Sequence, residues 1–176
     1  SQKGFMLPAG LAILGVSPKA IAAMETARLP RTFFDFKDML SAYARGGYPY
    51  TPAVGLIAGL AHAIDLLETE GLDNVYARHH RLAEGVRRAV AAWGMTPYAK
   101  SPDLCSDTVT AVKVPEGCDG TALVQLAASK YGMAFGVGLG EVAGKVFRIG
   151  HLGMLTEAMV LSGLCVAEMC MADLGW

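Results

Sequence analysis

The chain has 176 residues, and its 15 basic and 16 acidic side chains give a formal net charge of −1. Because no basic run or stripe stands out, the charge pattern argues against a nucleic-acid partner. Apolar residues make up 53% of the chain, which excludes a disordered chain and allows a sizeable core. The mean hydropathy of +0.37 predicts that part of the surface is buried against another subunit or against further sequence.

The first fourteen residues, SQKGFMLPAGLAIL, place a single lysine ahead of an apolar run that glycine and proline interrupt. We expect Lys3 to end a buried strand, where desolvation favours the neutral amine and makes it a nucleophile toward carbonyl groups. A surface lysine whose stem covers apolar side chains is the alternative that the residues alone leave open.

Two helices with similar starts are predicted next. Val16 ends a predicted strand, Ser17 is a predicted N-cap and Pro18 takes the first helical position, with the helix running to about residue 26. The aromatic-rich segment that follows is expected to be irregular. Thr51 and Pro52 then begin a second helix that ends near residue 70.

The rest of the chain predicts a long amphipathic helix followed by a small α/β layer. Apolar residues recur at helical spacing from Leu72 to Val90, and Gly94 ends the helix. From Thr96 the pattern reads strand, helix, strand, helix. We place a domain boundary near Tyr76, so that residues 1–75 and 76–176 form two parts.

The sequence predicts neither a membrane span nor a metal site. Of the two most apolar windows, residues 52–67 are interrupted by His62 and Asp65, and residues 158–167 are too few to cross a bilayer. The four cysteines show neither C-x-x-C nor zinc-ligand spacing. We therefore expect reduced thiols and a cytoplasmic location.

The segment SQKGFMLPAGLAILGVS resembles the cofactor-lysine segment of the class V aminotransferases, which are pyridoxal 5′-phosphate (PLP) enzymes of fold type I. It is most similar to the serine–glyoxylate and aspartate–glyoxylate aminotransferases, which have Ser-Gln-Lys followed by Pro-Pro-Gly-Leu. Ala9 replaces the second proline here. The resemblance implies that Lys3 is the catalytic lysine that binds PLP and that Gln2 belongs to the cofactor site.

A second segment, GGYPYTPAVGL, matches the Tyr-x-x-Thr-Pro motif of the same family. The resemblance implies that Tyr48 and Thr51 bind the PLP phosphate of the neighbouring subunit, in a homodimer or higher oligomer. A hydroxyl at a helix N-terminus suits a phosphate. The residues alone leave two alternatives open, an ordinary N-cap for Thr51 and a packed loop aromatic for Tyr48.

A third segment, GLGEVAGKVFRIGHLG, matches the family's Arg-Ile-Gly-x-x-Gly strand. The resemblance implies that Arg148 binds the α-carboxylate of the substrate, which a planar guanidinium grips with two parallel hydrogen bonds. An arginine in a structural ion pair is the alternative. The glycines from Gly136 to Gly140 precede a strand, so they are not a dinucleotide-binding fingerprint.

The resemblance covers the whole chain but only the C-terminal half of such an enzyme. It implies the α/β class, with residues 1–75 as the end of the large PLP-binding domain and residues 76–176 as the small C-terminal domain. We expect Ser1 to be an internal residue of a longer enzyme, whose N-terminal half is then a required partner. The implied reaction converts glyoxylate to glycine with L-aspartate or L-serine as amino donor.

Three alternatives to that function remain open. One is another class V enzyme, such as an alanine–glyoxylate aminotransferase. A second is a cysteine desulfurase, for which Cys105 is the only loosely suitable thiol. A third is an inactive dimerisation module. For the donor, Arg28 or Arg31 offers a second carboxylate partner, although both also read as surface arginines.

Overall fold

The computed structural model describes all 176 residues, and it confirms the α/β class. The contacts divide the chain into two compact units, Ser1–Asp65 and Leu66–Trp176. The division falls inside the third helix, α3 (Val54–Glu70). The functional boundary near residue 76 stays a prediction.

The first unit contains α1 (Pro18–Thr26), α2 (Phe36–Ala44) and most of α3. The predicted start of α1 is confirmed, because the Ser17 side chain accepts a hydrogen bond from the Ala20 backbone N–H at 3.2 Å. Helix α2 lies in the segment expected to be irregular. Its N-cap is Asp35, whose carboxylate accepts a hydrogen bond from the Lys37 N–H at 2.9 Å.

The strands predicted near Lys3 and Val16 are absent, and that prediction is wrong. All four strands of the structure lie in the second unit, so the opening segment has no neighbour in a sheet. It closes on itself instead, in a turn where the Met6 N–H donates to the Lys3 carbonyl oxygen at 2.8 Å. Lys3 is therefore an exposed residue of a turn and does not end a buried strand.

The second unit places three helices on a four-stranded sheet. The helices are α4 (Leu72–Ala92), α5 (Gly120–Tyr131) and α6 (Glu157–Leu174). The strands are β1 (Thr96–Pro97), β2 (Val109–Lys113), β3 (Gly136–Val137) and β4 (Val146–Gly150). They pair antiparallel in the order β1-β2-β4-β3. The predicted strands of residues 109–113 and 146–150 are thus the two central ones.

One face of this sheet forms the core of the second unit. Val112, Phe147 and Ile149 point to that face and pack against buried side chains of the helices, including Leu82 and Leu123. Side chains alternate along a strand, so the intervening residues lie on the other face. Apart from the buried Val146 at the start of β4, those residues are half-buried or exposed, and Arg148 is one of them.

No helix of the structure is both long and apolar enough to cross a bilayer.

Candidate functional site

Lys3 lies on a loop, residues 1–11, that the first unit holds against α3. The Ser1 hydroxyl donates to the Pro8 carbonyl oxygen at 2.8 Å and accepts from the Leu11 N–H at 3.2 Å. A Cβ added to Gly59 of α3 would lie only 2.9 Å from the Cδ2 methyl of Leu7. This close approach needs a glycine on α3, and it fixes the loop from which Lys3 projects.

The Lys3 amine makes no hydrogen bond or ion pair with the chain, and its neighbour Gln2 is also exposed. Both side chains therefore project from a fixed loop, and the Lys3 amine is free to react.

Tyr48 and Thr51 lie on the short connection between α2 and α3, as the sequence indicated. Both are exposed, and neither hydroxyl has a hydrogen-bond partner in the chain. Helix α3 begins at Val54, where the Ala53 carbonyl accepts the first helical bond, so Thr51 is not the N-cap. The N-cap alternative for Thr51 is therefore wrong.

Tyr48 also borders an open apolar groove of the first unit. The groove has a volume of about 390 Å³, and its other walls come from α1, α2 and the segment before α1. The Tyr48 side chain is 63% exposed, so its ring is not packed as an ordinary core aromatic. Its hydroxyl is open to a ligand or to another chain.

Arg148 occupies the middle of β4, opposite Ala111 of β2 and Gly136 of β3. Its Nε donates to the Val137 carbonyl oxygen at 2.9 Å, which fixes the plane of the guanidinium. Nη1 and Nη2 have no partner in the chain, and no carboxylate lies within 4.0 Å. Arg148 therefore makes no ion pair within this chain, and its half-buried guanidinium presents two free nitrogens.

Arg148, which carries these nitrogens, lines a small pocket of about 230 Å³. The sequence did not identify the other walls, which include Tyr98, Leu104, Cys105 and Ser106. They come from the loop before β2, where neither a motif nor a period marks them. A cation with free donors in a small, partly apolar pocket is suited to a carboxylate.

Gly136 explains part of the glycine run that precedes β4. A Cβ at this position would come within 3.1 Å of both Cβ and Nε of Arg148. The arginine side chain thus lies directly against the glycine backbone. The run is not a phosphate loop, and its first glycine provides the space for Arg148.

The two arginines considered for donor recognition differ in their surroundings. The Arg31 guanidinium pairs with the Asp35 carboxylate, Nε to Oδ2 at 3.3 Å, and also donates to the Leu29 carbonyl. Arg28 is exposed and has no such partner. Only Arg28 therefore remains free to bind a ligand carboxylate.

The donor set of the chain fits PLP and its substrates. The first unit presents a free amine at Lys3 and free hydroxyls at Tyr48 and Thr51, and the second presents the free guanidinium nitrogens of Arg148. An amine suits the carbonyl of PLP, hydroxyls suit its phosphate, and the guanidinium suits a carboxylate. No group of three or more His, Cys, Asp or Glu side chains is arranged to hold a metal ion.

Comparisons with known proteins indicate the family that the chain resembles. No family model matches the chain. It is 65% identical over 175 residues to the L-aspartate–glyoxylate aminotransferase of Paracoccus denitrificans and 55% identical over 177 residues to the serine–glyoxylate aminotransferase of Hyphomicrobium methylovorum. Each alignment covers 99% of this chain and 44% of the relative, so the chain spans less than half the length of either enzyme.

Solved structures give the same result for the fold. Pyridoxamine–pyruvate aminotransferase from Mesorhizobium loti aligns with a TM-score of 0.85 and 38% identity, covering 92% of this chain and 42% of that one. Alanine–glyoxylate aminotransferase from Nostoc sp. aligns with a TM-score of 0.88 and 26% identity, covering 97% and 46%. In sequence and in fold, this chain corresponds to the C-terminal half of the class V aminotransferases, which are PLP-dependent enzymes of fold type I.

Proposed function

We propose that this chain provides the catalytic lysine and the substrate arginine of a PLP-dependent aminotransferase that converts glyoxylate to glycine. The observation that carries the proposal is the half-buried guanidinium of Arg148, oriented by the Val137 carbonyl and otherwise without a partner. Glyoxylate and every amino donor share a carboxylate next to the reacting carbon. One arginine can therefore serve both halves of the cycle.

The roles of the side chains follow from their chemistry. PLP, when bound, supplies an electron sink that makes the α-proton of an amino acid removable. Lys3 Nζ accepts that proton from the donor as general base and later returns a proton as general acid. The donor leaves as its 2-oxoacid, and glyoxylate leaves as glycine. Arg148 holds the substrate carboxylate in one orientation throughout, which aligns the α-carbon for the transfer.

Tyr48 and Thr51 complete the proposal as phosphate ligands. Their hydroxyls are exposed and free, on a connection that precedes α3 by only a few residues. We assign them to the PLP phosphate of a neighbouring subunit in a homodimer, with Gln2 beside the cofactor and the enzyme in the cytoplasm. If the assignment is right, Tyr48→Phe and Thr51→Val weaken PLP binding, measured by cofactor loss on dialysis. Unchanged retention of PLP in both variants would contradict the assignment.

We assign L-aspartate as the preferred donor over L-serine. The relative with 65% identity is named for aspartate and the one with 55% for serine. Arg28 is the free cation that suits a second carboxylate. Arg28→Gln should lower kcat/KM with aspartate and leave serine unchanged. Equal efficiencies with the two donors in the unaltered enzyme would contradict the preference.

The test of the function uses the PLP-loaded enzyme that contains this chain. We expect Lys3→Ala to abolish glycine formation from glyoxylate, and borohydride to fix the cofactor to Lys3 in the unaltered enzyme only. Arg148→Lys keeps the charge but loses the planar grip. Loss of a charge-assisted pair costs about 2–5 kcal/mol, so kcat/KM should fall at least about thirtyfold. Wild-type turnover in either variant would refute the proposal.

A cysteine desulfurase is the second candidate, because Cys105 lines the same pocket as Arg148. Its thiol donates weakly to the Ser101 carbonyl, with a sulfur–oxygen distance of 3.7 Å. Formation of alanine from L-cysteine, with sulfide released by an added thiol reductant, that Cys105→Ser abolishes would favour this activity. Glycine formation from glyoxylate without sulfide release would favour the aminotransferase.

A further inference from the structure

His151 is the most deeply buried polar side chain of the second unit, with 0% exposure. It follows Arg148 by three residues, immediately after β4 ends. The aminotransferase chemistry above gives it no role. Both ring nitrogens of His151 have hydrogen-bond partners, and these partners show which parts of the chain the ring holds in place.

The ring makes two hydrogen bonds that settle its tautomer. Nδ1 lies 3.0 Å from the Asp107 carbonyl oxygen, which can only accept, so Nδ1 carries the proton. Nε2 lies 2.9 Å from the Thr110 hydroxyl, which must then donate to it. Burial lowers the pKa of His151, which keeps the ring neutral and this tautomer in place. The His151 backbone N–H adds a bond of 3.0 Å to the Thr108 carbonyl oxygen.

These bonds hold the end of one loop, residues 101–108, which precedes β2. The same loop supplies Leu104, Cys105 and Ser106 to the wall of the Arg148 pocket. Its other hydrogen-bonded anchors outside the loop are on α4. There His80 Nδ1 lies 3.0 Å from one Asp107 carboxylate oxygen and Arg87 Nη2 lies 3.1 Å from the other, and Arg87 Nη1 donates to the Ser106 carbonyl oxygen at 3.3 Å.

The two anchors differ in how much they contribute. The Asp107 carboxylate is 40% exposed, and ion pairs with that much solvent contribute little. The His151 ring is fully buried and its bond to the Asp107 carbonyl is partly buried, so losing the ring donor leaves that carbonyl with no partner in the chain and with restricted access to water, which is costly. The anchor on His151 is therefore the less solvent-screened of the two.

We propose that His151 is a positioning residue, which holds the 101–108 loop as the fixed wall of the Arg148 pocket through its bond to the Asp107 carbonyl. The proposal rests on the substrate-binding role of Arg148 given above. In this proposal His151 touches no substrate, and its function is to keep the pocket small.

Two variants of His151 separate its two bonds. In His151→Asn, the amide N–H stands where Nδ1 stands and can still donate to the Asp107 carbonyl. In His151→Gln, the longer side chain reaches the Thr110 hydroxyl but leaves that carbonyl unpaired. Both variants lose the ring, so the difference between them isolates the bond to Asp107. His62→Gln, at an exposed histidine of α3, is the matched control.

Both measurements use the PLP-loaded enzyme. The first gives KM and kcat with glyoxylate and aspartate, and the second gives the rate at which iodoacetamide labels Cys105, followed by mass spectrometry. We expect His151→Gln to raise KM about tenfold with kcat changed less than about threefold, and to speed Cys105 labelling about tenfold. His151→Asn and His62→Gln should stay within about twofold of the unaltered enzyme.

Equal defects in His151→Asn and His151→Gln would overturn the proposal, since they would indicate a purely structural role. Wild-type KM and labelling in a folded His151→Gln enzyme would also overturn it. If His151→Gln does not fold, a tenfold rise of KM in His151→Asn would by itself overturn the proposal. Arg148→Lys is measured alongside. An unchanged KM there refutes the function of the pocket, while Cys105 labelling still reports on the loop.

Discussion

Adding one methyl group at Gly136 tests the carboxylate site without removing any functional atom. The methyl of Gly136→Ala would lie 3.1 Å from Cβ and Nε of Arg148 and 3.4 Å from Cζ. The backbone at Gly136 does not have a positive φ, so alanine is compatible with the strand. The substitution therefore displaces the guanidinium while leaving its charge in place.

The size of the effect follows from these distances. Non-bonded carbon atoms settle at about 3.5–4.0 Å, so the arginine side chain must retreat by roughly 0.5 Å. That shift disturbs the 2.9 Å bond from Nε to the Val137 carbonyl, which sets the plane of the guanidinium. A misplacement of about 1 Å costs on the order of 100-fold in rate. Half of that displacement predicts a loss of about tenfold in kcat/KM.

Stability should hardly change in the same variant. Replacing glycine by alanine at a compatible position gains about 0.4–1 kcal/mol. Weakening one hydrogen bond costs about 0.5–1.5 kcal/mol, so the two effects nearly cancel. We expect a melting temperature within about 4 °C of the unaltered enzyme.

The assay is steady-state glycine formation from glyoxylate with aspartate and with serine, alongside thermal unfolding. Gly150→Ala, on the strand that carries Arg148, is the control, because its methyl would meet only Leu152 at an ordinary 3.8 Å. The loss in Gly136→Ala should be the same with both donors, since in the proposed function both present an α-carboxylate to Arg148. Unchanged kcat/KM in a folded Gly136→Ala enzyme would refute the placement of the guanidinium in the carboxylate site.

Three further predictions concern stability and thiol chemistry. Gly138→Ala should prevent folding, because its methyl would lie 2.1 Å from a backbone oxygen of the next turn; a soluble variant with a native circular dichroism spectrum would contradict this. The hydrogen bond from Arg78 lowers the pKa of Glu70, so this pair stabilises the fold above about pH 4.5 and the contribution disappears as the pH falls further. Urea unfolding of Glu70→Gln should therefore show a weaker loss of stability between neutral and acid pH than the unaltered chain, and equal losses would argue against the pair. Burial raises the pKa of the Cys170 thiol, so iodoacetamide should modify it far more slowly than the exposed Cys165; equal rates in the native protein would show that Cys170 is accessible.

The sequence predicted the elements whose signals are local. Ser17 and Pro18 mark the start of α1, and a glycine with a positive φ, Gly94, follows the end of α4 as expected. The central strand β2 alternates between buried and accessible residues over all five positions, and β4 does so over its last four, which is long enough to recognise. Strands β1 and β3 have two residues each and show no period, so only their pairing in the folded chain defines them.

The candidate site was predicted less completely, since much of it depends on tertiary contacts. Motifs pointed to Lys3, Tyr48, Thr51 and Arg148, but burial of Lys3 was inferred from its apolar neighbours alone. Those neighbours include Leu7, which packs on α3 and leaves the amine exposed. The spacing of residues in the sequence does not predict side-chain contacts. It therefore could not show that the Arg148 guanidinium lacks a partner in the chain, or which loop forms the wall of its pocket.

The alternation along β4 also has a consequence for how the specificity of this protein can change. Phe147 and Ile149 hold the helices on one face of the sheet, while Arg148 and the pocket lie on the other. Residues of the pocket wall such as Tyr98 and Leu104 do not belong to the core. Substitutions in the wall should therefore cost little in folding, and a library restricted to it, selected for a different 2-oxoacid under the proposed function, should yield folded variants at a high rate.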